Sequence, residues 1–317
     1  MIASPMNVLT QHGIRKTKAQ KEAFRRDVTD FFRRYGYEPT VEKAKNGAHN
    51  VVVGSPETAK FLITAHYDTP ARMFLPNLIT PCSLPLFILW QIVMVAVLVG
   101  IAAVPGVVVG LLVGEFAPGF LTGYVCYMGV LFLMLFGPAN RHNANDNTSG
   151  VVTVLEIAKS MPENLRSRVC FVLFDLEEAG LLGSAAYAKA HRAAIQNQIV
   201  LNLDCVGDGD EIIFVPTKKL RQKLATSGCV GEAPAGCLLK VAGRFGEKQI
   251  SLRMNGFCYY PSDQRRFPYG VGIAALHRGR LALYLGRIHT DRDRILEHTN
   301  VNLLRAAIIT VVGSAAE

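Results

Sequence analysis

Short apolar runs of strand length alternate along the chain with stretches of helical periodicity, and one long tract breaks that rhythm. Between residues 17 and 36, Phe24, Val28, Phe31, Phe32 and Tyr35 recur at the spacing of an amphipathic helix. The stretch "NVVVGSPETAKFLITAHYDTP" reads as two strands around a Gly-Ser-Pro turn, the second ending at His66. After residue 141 the pattern predicts a helix over 149–160, a strand at "RVCFVLFD" and a helix over about 180–195. It then predicts a strand at "QIVLNLD" closing on Asp204, short strands at 211–215, 271–275 and 281–285, and a last helix over about 295–312. Strands alternating with helices imply an α/β fold with a mostly parallel central sheet flanked by helices. No internal repeat or low-complexity linker interrupts it.

The exception lies between Met73 and Gly114, which contains no Asp, Glu, Lys or Arg; from there to Asn140 the single such residue is Glu115. Residues 84–104 and 119–137 are each long enough to cross a bilayer as a helix. The piece between them, 105–118, is open to three readings: a turn, a helical extension or a re-entrant segment. Its spacings Gly106/Gly110 and Gly110/Gly114 suit either close helix approach or a tight turn. A buried core helix of a soluble protein is the bland alternative, but a charge-free run of this length has no polar face to turn to water. The chain therefore divides into a first part of the α/β domain (1–70), a transmembrane helical insert (71–140) and a second part of the α/β domain (141–317).

The formal charge of +9 raises the question of a polyanionic partner. No zinc-finger spacing, RNP-like motif or basic run with interleaved aromatics is present, so nucleic acid is excluded and membrane lipid is favoured. The helix at 17–36 carries Lys16, Lys18, Lys21, Arg25, Arg26, Arg33 and Arg34 beside its apolar face. A solvated face accounts for them; contact with anionic headgroups is the sharper alternative. Arg72, Arg141 and His142 flank the apolar tract while its connecting loop has no Lys or Arg, which places the α/β domain on the cytoplasmic side of a multi-pass protein. Seven cysteines without a Cys-x-x-Cys pair read as reduced thiols, consistent with that compartment. The sequon at Asn147 is read as chance.

Ionisable residues gather at the predicted strand ends: His66 and Asp68 in "AHYDTP", Glu177 and Glu178 after "FVLFD", Asp204 after "IVLNL", and His289 in "GRIHTDRD". Asp146 precedes a helix in "NANDNTSG". In open α/β sheets such ends converge on one edge. Two imidazoles with three carboxylates suit a pair of borderline divalent cations, zinc first. Two such cations balance Asp146, Glu178, Asp204 and one hydroxide, the nucleophile that such centres make near neutral pH. One glutamate of the Glu177–Glu178 pair then ligates and the other moves a proton; the residues alone leave open which does which.

The ordered set "HYDTP", "NDNTSG", "FDLEEAGLLGS", "NLDCVG" and "IHTDRD" resembles the M28 family of dinuclear zinc aminopeptidases over about residues 15–70 and 141–312. The resemblance implies a zinc-exopeptidase-like fold and hydrolysis of N-terminal residues from peptides by a metal-bridging hydroxide. It implies His66 and Asp204 on one Zn2+, Glu178 and His289 on the other, Asp146 bridging, Glu177 as general base and Asp68 orienting His66. Tyr259 and Tyr260 are candidates for helping the acyl oxygen; packing is their ordinary role. Leu176, Asn143 and Gln264 depart from the residues usual in the family, and none is a ligand. A glutaminyl-cyclase-like zinc acyltransferase, which uses one metal, and an inactive membrane scaffold are the alternatives. Because the insert falls between His66 and Asp146, a shared site requires an even number of membrane crossings. Side-chain preference and oligomeric state are not encoded legibly.

Overall fold

The structure, a computed structural model, describes residues 1–75, 77–226 and 236–314. In chain order the elements are α1 Asn7–Gln11, α2 Lys18–Arg34, β1 Pro39–Lys43, β2 His49–Val53, β3 Phe61–His66, α3 Leu84–Val113 and α4 Phe116–Phe136. There follow α5 Gly150–Ser160, β4 Val169–Phe174, α6 Leu182–Ala190, β5 Ile199–Leu203, β6 Glu211–Pro216 and α7 Lys218–Thr226. The chain ends with β7 Gly243–Phe245, β8 Lys248–Leu252, β9 Gly270–Arg278, β10 Leu283–Tyr284 and α8 His298–Ser314. Five of these, α1, β1, α7, β7 and β8, were not foreseen. They are short, or lie at the sheet edges where one polar face blurs the apolar pattern.

The strands form one sheet in the order β1-β2-β4-β3-β5-β9-β6-β8-β7, with β10 pairing β9. Its centre, β4-β3-β5-β9, is parallel. The outer pairs β1–β2, β2–β4 and β6–β9 are antiparallel. The predicted α/β class is observed, as a mixed sheet with a parallel middle. Strand periodicity divides the core. Val51, Ile63, Phe171 and Leu201 face α2, α5 and α8, while Val52, Leu62, Val172 and Val200 face α6 and Phe267. Burial on both faces explains why these strands read as unbroken apolar runs.

Register sets up the site. His66 lies level with Phe174, and Thr64 with Asn202. The residues that follow β3, β4 and β5 therefore leave the sheet at one edge. Asp175, at the end of β4, is held there by a buried pair with Lys21 at 2.6 Å and by the backbone N–H of His49.

The insert is a helical hairpin. The segment 105–118 is mainly helical extension: α3 continues through Pro105 to Val113. The chain then reverses at Gly114 (φ 74°) and Glu115 before α4 begins. Both helices are long and apolar enough to cross a membrane, and few of their side chains are buried within the protein. Glycine allows their close approach. A Cβ on Gly106 would stand 2.8 Å from the Gly119 carbonyl oxygen, and one on Gly119 would stand 2.7 Å from that of Gly106.

The expectation that every cysteine is a reduced thiol is overturned. Cys82 and Cys258 form a disulfide across 176 residues, their Cα atoms 4.2 Å apart. The backbone brings them together, since the Tyr259 N–H donates to the Pro81 carbonyl at 2.7 Å. No local spacing announces so distant a pair. Among the described residues Cys126, Cys170, Cys205 and Cys237 are free. Asn147, the sequon residue, is fully buried and donates to the Leu203 carbonyl.

The glycine contact yields a test. Gly119→Val is expected to destabilise the hairpin by about 1–3 kcal/mol through overpacking. Gly129→Val, where a Cβ meets nothing within 4 Å, is expected to be tolerated. Thermal unfolding of the detergent-solubilised chain measures the difference.

Candidate metal centre

Asp146 is the hub. Its Oδ1 lies 3.3 Å from His66 Nε2 and its Oδ2 lies 2.9 Å from His289 Nε2. His66 Nε2 also lies 3.6 Å from Asp204 Oδ1, and His289 Nε2 lies 3.6 Å from Glu178 Oε2. Two groups with ligand atoms mutually within 4.8 Å result, His66/Asp146/Asp204 and Asp146/Glu178/His289. They share one carboxylate, each of whose oxygens faces a different imidazole. Glu177 joins a third group with His66 and Glu178. His66, Asp146 and Asp204 are buried, whereas Glu178 and His289 are partly open to solvent.

Two further carboxylates hold this arrangement from behind. Asp68 accepts from the backbone N–H groups of Glu177 (3.0 Å) and Glu178 (3.2 Å), and lies 3.5 Å from His66 Nδ1. Asp293 accepts from the N–H groups of Asn145 (2.6 Å) and Asp146 (3.0 Å). The first clamp contains the partner expected for His66 and adds a hold on both glutamates. The second was missed, although Asp293 closes the "IHTDRD" motif. Arg15 was missed too. It is fully buried, donates to the carbonyls of His12 and Tyr67 and to Thr148 Oγ1, and shares its neighbourhood with Asp68 and Asp146. Its only sequence signal is a basic residue in a stretch without strand or helix periodicity.

The backbone departs from ordinary conformations at this edge. Leu176 (φ 56°), Cys205 (φ 57°) and His289 (φ 61°) all have positive φ, a region that disfavours side chains with a Cβ. Such outliers concentrate at functional sites. They flank or belong to the donor set: Leu176 precedes Glu177, and Cys205 follows Asp204.

The remaining candidates fall into place around the donors. The Tyr260 hydroxyl is buried and donates to the Asp204 carbonyl at 3.1 Å. Tyr259 is partly exposed, with the Arg265 guanidinium over its ring. Gln264 is buried, donating to the Tyr260 carbonyl and accepting from Asn202. Asn143 bridges Thr69 and Thr148. The Cys205 thiol points to Asp204 Oδ1, and burial pushes it well above its ordinary pKa. His142 belongs to none of the donor groups among the described residues.

The electrostatics fit cations at this position. Burial pushes the carboxyl of Glu178 up to about 8, against the pull of His289 and with the help of Asp146. Burial works to lower the His289 imidazole, yet Glu178 and Asp146 carry it up to about 9. His66 is likewise raised, against burial, by Glu177, Asp146 and Asp204. Acids that resist ionising beside imidazoles that resist discharging mark a pocket in which more positive charge is favourable. Buried Glu178 Oε1 has no hydrogen-bond partner, so donor capacity is free. Nitrogen and oxygen donors of this kind suit zinc.

The family model for peptidase family M28 matches residues 131–312, more than half of the chain. The chain belongs to peptidase family M28. The matched region contains Asp146, Glu177, Glu178, Asp204 and His289, while His66 and Asp68 enter through the fold. The family is zinc-dependent, in keeping with the donors found here. Among solved structures, the chain is similar to the LapA aminopeptidase of Legionella pneumophila, with 13% identity, 98% of this chain and 71% of that one covered, and a TM-score of 0.54. It is also similar to a leucine aminopeptidase precursor from Bacteroides thetaiotaomicron, with 15% identity, 95% and 92% covered, and a TM-score of 0.52. A glutaminyl cyclase of the latter organism aligns at 15% identity over 95% and 92%, with a TM-score of 0.49. At these identities the likeness concerns the fold. No curated protein matches by sequence.

The shared carboxylate leads to a clear expectation. Asp146→Ala is expected to abolish zinc binding, whereas Asp68→Asn, which spares every donor, is expected to weaken metal affinity about 10–100-fold. Metal content after dialysis against buffered zinc reads both.

Proposed function

We propose that the protein is a membrane-tethered, dinuclear zinc aminopeptidase. Its catalytic unit comprises residues 1–70 and 141–317, and the hairpin within 71–140 spans the bilayer. The observation that carries this reading is the position of Asp146 between two imidazoles, each backed by another carboxylate, with Glu177 beside them and outside both groups that share Asp146. His66 and Asp204 would hold one ion, Glu178 and His289 the other, and Asp146 both. Zinc bound there would polarise a scissile carbonyl and acidify a water.

Glu177 is the proton carrier in this scheme. It takes a proton from the attacking water and returns it to the leaving amine. Burial raises its carboxyl well above the usual range, opposed by His66 and reinforced by Glu178 and Asp263. A higher proton affinity suits a group that must both accept and deliver. Asp68 fixes where Glu177 stands by holding its backbone N–H. At the accessible rim Tyr259 is the candidate to steady the acyl oxygen, because the Tyr260 hydroxyl is committed to the Asp204 carbonyl. The substrate is a peptide with a free N-terminus.

Two observations bear on the side of the membrane. The basic residues Arg72 and Arg141 at the hairpin ends favour a cytoplasmic catalytic domain. The Cys82–Cys258 disulfide favours the opposite, oxidising side. An alkaline-phosphatase reporter fused after residue 317 decides between them: activity is expected only if the domain lies outside the cytoplasm.

Glu177→Gln is expected to retain zinc yet lower hydrolysis of aminoacyl anilides about 10²–10⁴-fold. Undiminished turnover by this variant would remove Glu177 from the mechanism. Chelation is expected to abolish activity in the unmodified protein and zinc to restore it. One zinc per chain together with cyclisation of N-terminal glutamine would replace the peptidase reading.

A further inference from the structure

The hairpin is fastened to the metal centre itself. At its base the Arg72 N–H donates to the Pro138 carbonyl, the Asn140 N–H to the Pro70 carbonyl, and Ala71 bridges Ala139. From there the linker before α3 runs past the donors. The Met73 N–H donates to the carbonyl of His289 at 2.8 Å, Ile79 pairs with Leu285, and Cys82 is bonded to Cys258. On the returning side Asn140 Nδ2 donates to the Thr290 carbonyl at 3.1 Å, and on the outgoing side Arg72 pairs with Asp291 at 2.7 Å. Lys16 donates through Nζ to the Leu135 carbonyl near the end of α4. Glu178 and His289 are the donors most open to solvent. The accessible side of the centre is thus the side from which the hairpin departs.

That side is apolar where it meets solvent. Phe74 is 92% exposed, Leu281 85% and Phe257 75%, values well outside those of the core. Each borders the linker: Phe74 belongs to it, Phe257 adjoins the disulfide, and Leu281 lies four residues before Leu285. Arg72, Arg265 and Arg280 are exposed among them. Exposed aromatic and aliphatic side chains mixed with arginines form a surface suited to the interfacial region of a bilayer. The hairpin roots leave little freedom for the bilayer to lie elsewhere.

We propose that this rim is a lipid-contact surface that holds the metal centre at the membrane–water boundary, where it acts on membrane-anchored peptide chains whose free N-termini lie close to the bilayer surface. The inference rests on the membrane-tethered peptidase reading and narrows its substrate class. Short soluble peptides reach the centre from water, whereas a membrane-anchored chain arrives already concentrated at the level of the donors.

The test uses the full chain in nanodiscs of mixed zwitterionic and anionic lipid, some of it brominated near the headgroup end of its chains. Trp90, the single tryptophan, lies within α3 and reports on the hairpin. Phe257→Trp and Phe74→Trp, each in a Trp90→Phe background, report on the rim. The expected result is at least twofold quenching of both rim tryptophans, with Trp90 quenched by bromines placed deeper. Quenching of Trp90 without quenching at the rim overturns the proposal and leaves the hairpin standing. No quenching at any position overturns both. A second arm compares, by release of the N-terminal amino acid, a soluble peptide with the same peptide carrying a C-terminal diacyl anchor. The triple variant Phe74→Ser, Phe257→Ser, Leu281→Ser is expected to lose at least tenfold on the anchored peptide and to keep its rate on the soluble one. Equal rates of the unmodified protein on the two peptides, or equal losses by the variant, would overturn the substrate assignment. Absence of hydrolysis of either peptide by the zinc-loaded protein would instead remove the peptidase reading, with the quenching result deciding the lipid surface on its own.

Discussion

Crowding several carboxylates at one buried edge is electrostatically unfavourable, and the rest of the catalytic domain is arranged around that fact. Asp146, Glu177, Glu178, Asp204 and Asp68 approach one another with two imidazoles between them. Isolated buried carboxylates would take up protons instead of remaining charged. Here several of them, and their neighbours, have counterweights. Arg15 is buried beside Asp68 and Asp146, and Lys21 neutralises Asp175, two residues before Glu177. Backbone N–H groups serve the same end, since Asp68 and Asp293 each accept two. Divalent cations at the shared donors complete this compensation in the reading adopted here.

The two carboxylate clamps also set geometry. A ligand side chain is no better positioned than the backbone that bears it. Asp68 fixes the peptide planes leading into Glu177 and Glu178, and Asp293 fixes those leading into Asn145 and Asp146. Leu176, Cys205 and His289 are held in the left-handed region between these anchors. Such conformations persist only where surrounding contacts over-determine them. The parallel register of β3, β4 and β5 supplies those contacts, because it delivers all the relevant chain ends to one edge.

The insert obeys the same geometry. His66 precedes it and Asp146 follows it, yet their side chains meet at 3.3 Å. The chain must therefore leave and return at nearly the same point, and Ala71 and Ala139 pair where it does. Close packing of Gly106 against Gly119 keeps the two helices as a unit. Hydrogen bonds from Met73 and Asn140 to the carbonyls of His289 and Thr290 then tie that unit to the donor loop. The apolar hairpin and the donor set share a boundary in this molecule.

Apolar periodicity alone determined the α/β class, the strands at 169–174 and 199–203 and the long apolar insert, because burying a strand on both faces or exposing a helix to lipid demands side chains of one kind. The motifs around His66, Asp146, Glu177, Asp204 and His289 were legible for a related reason: few other roles require such residues at the ends of strands. Tertiary structure decided what depends on distant partners. The Cys82–Cys258 bond, the backbone clamp of Asp293, the burial of Arg15 and the antiparallel flanks of the sheet have no local signature. Each arises where segments far apart in the chain are brought together by the register of the sheet, and a sequence pattern records which face a residue prefers but not which neighbour waits on that face.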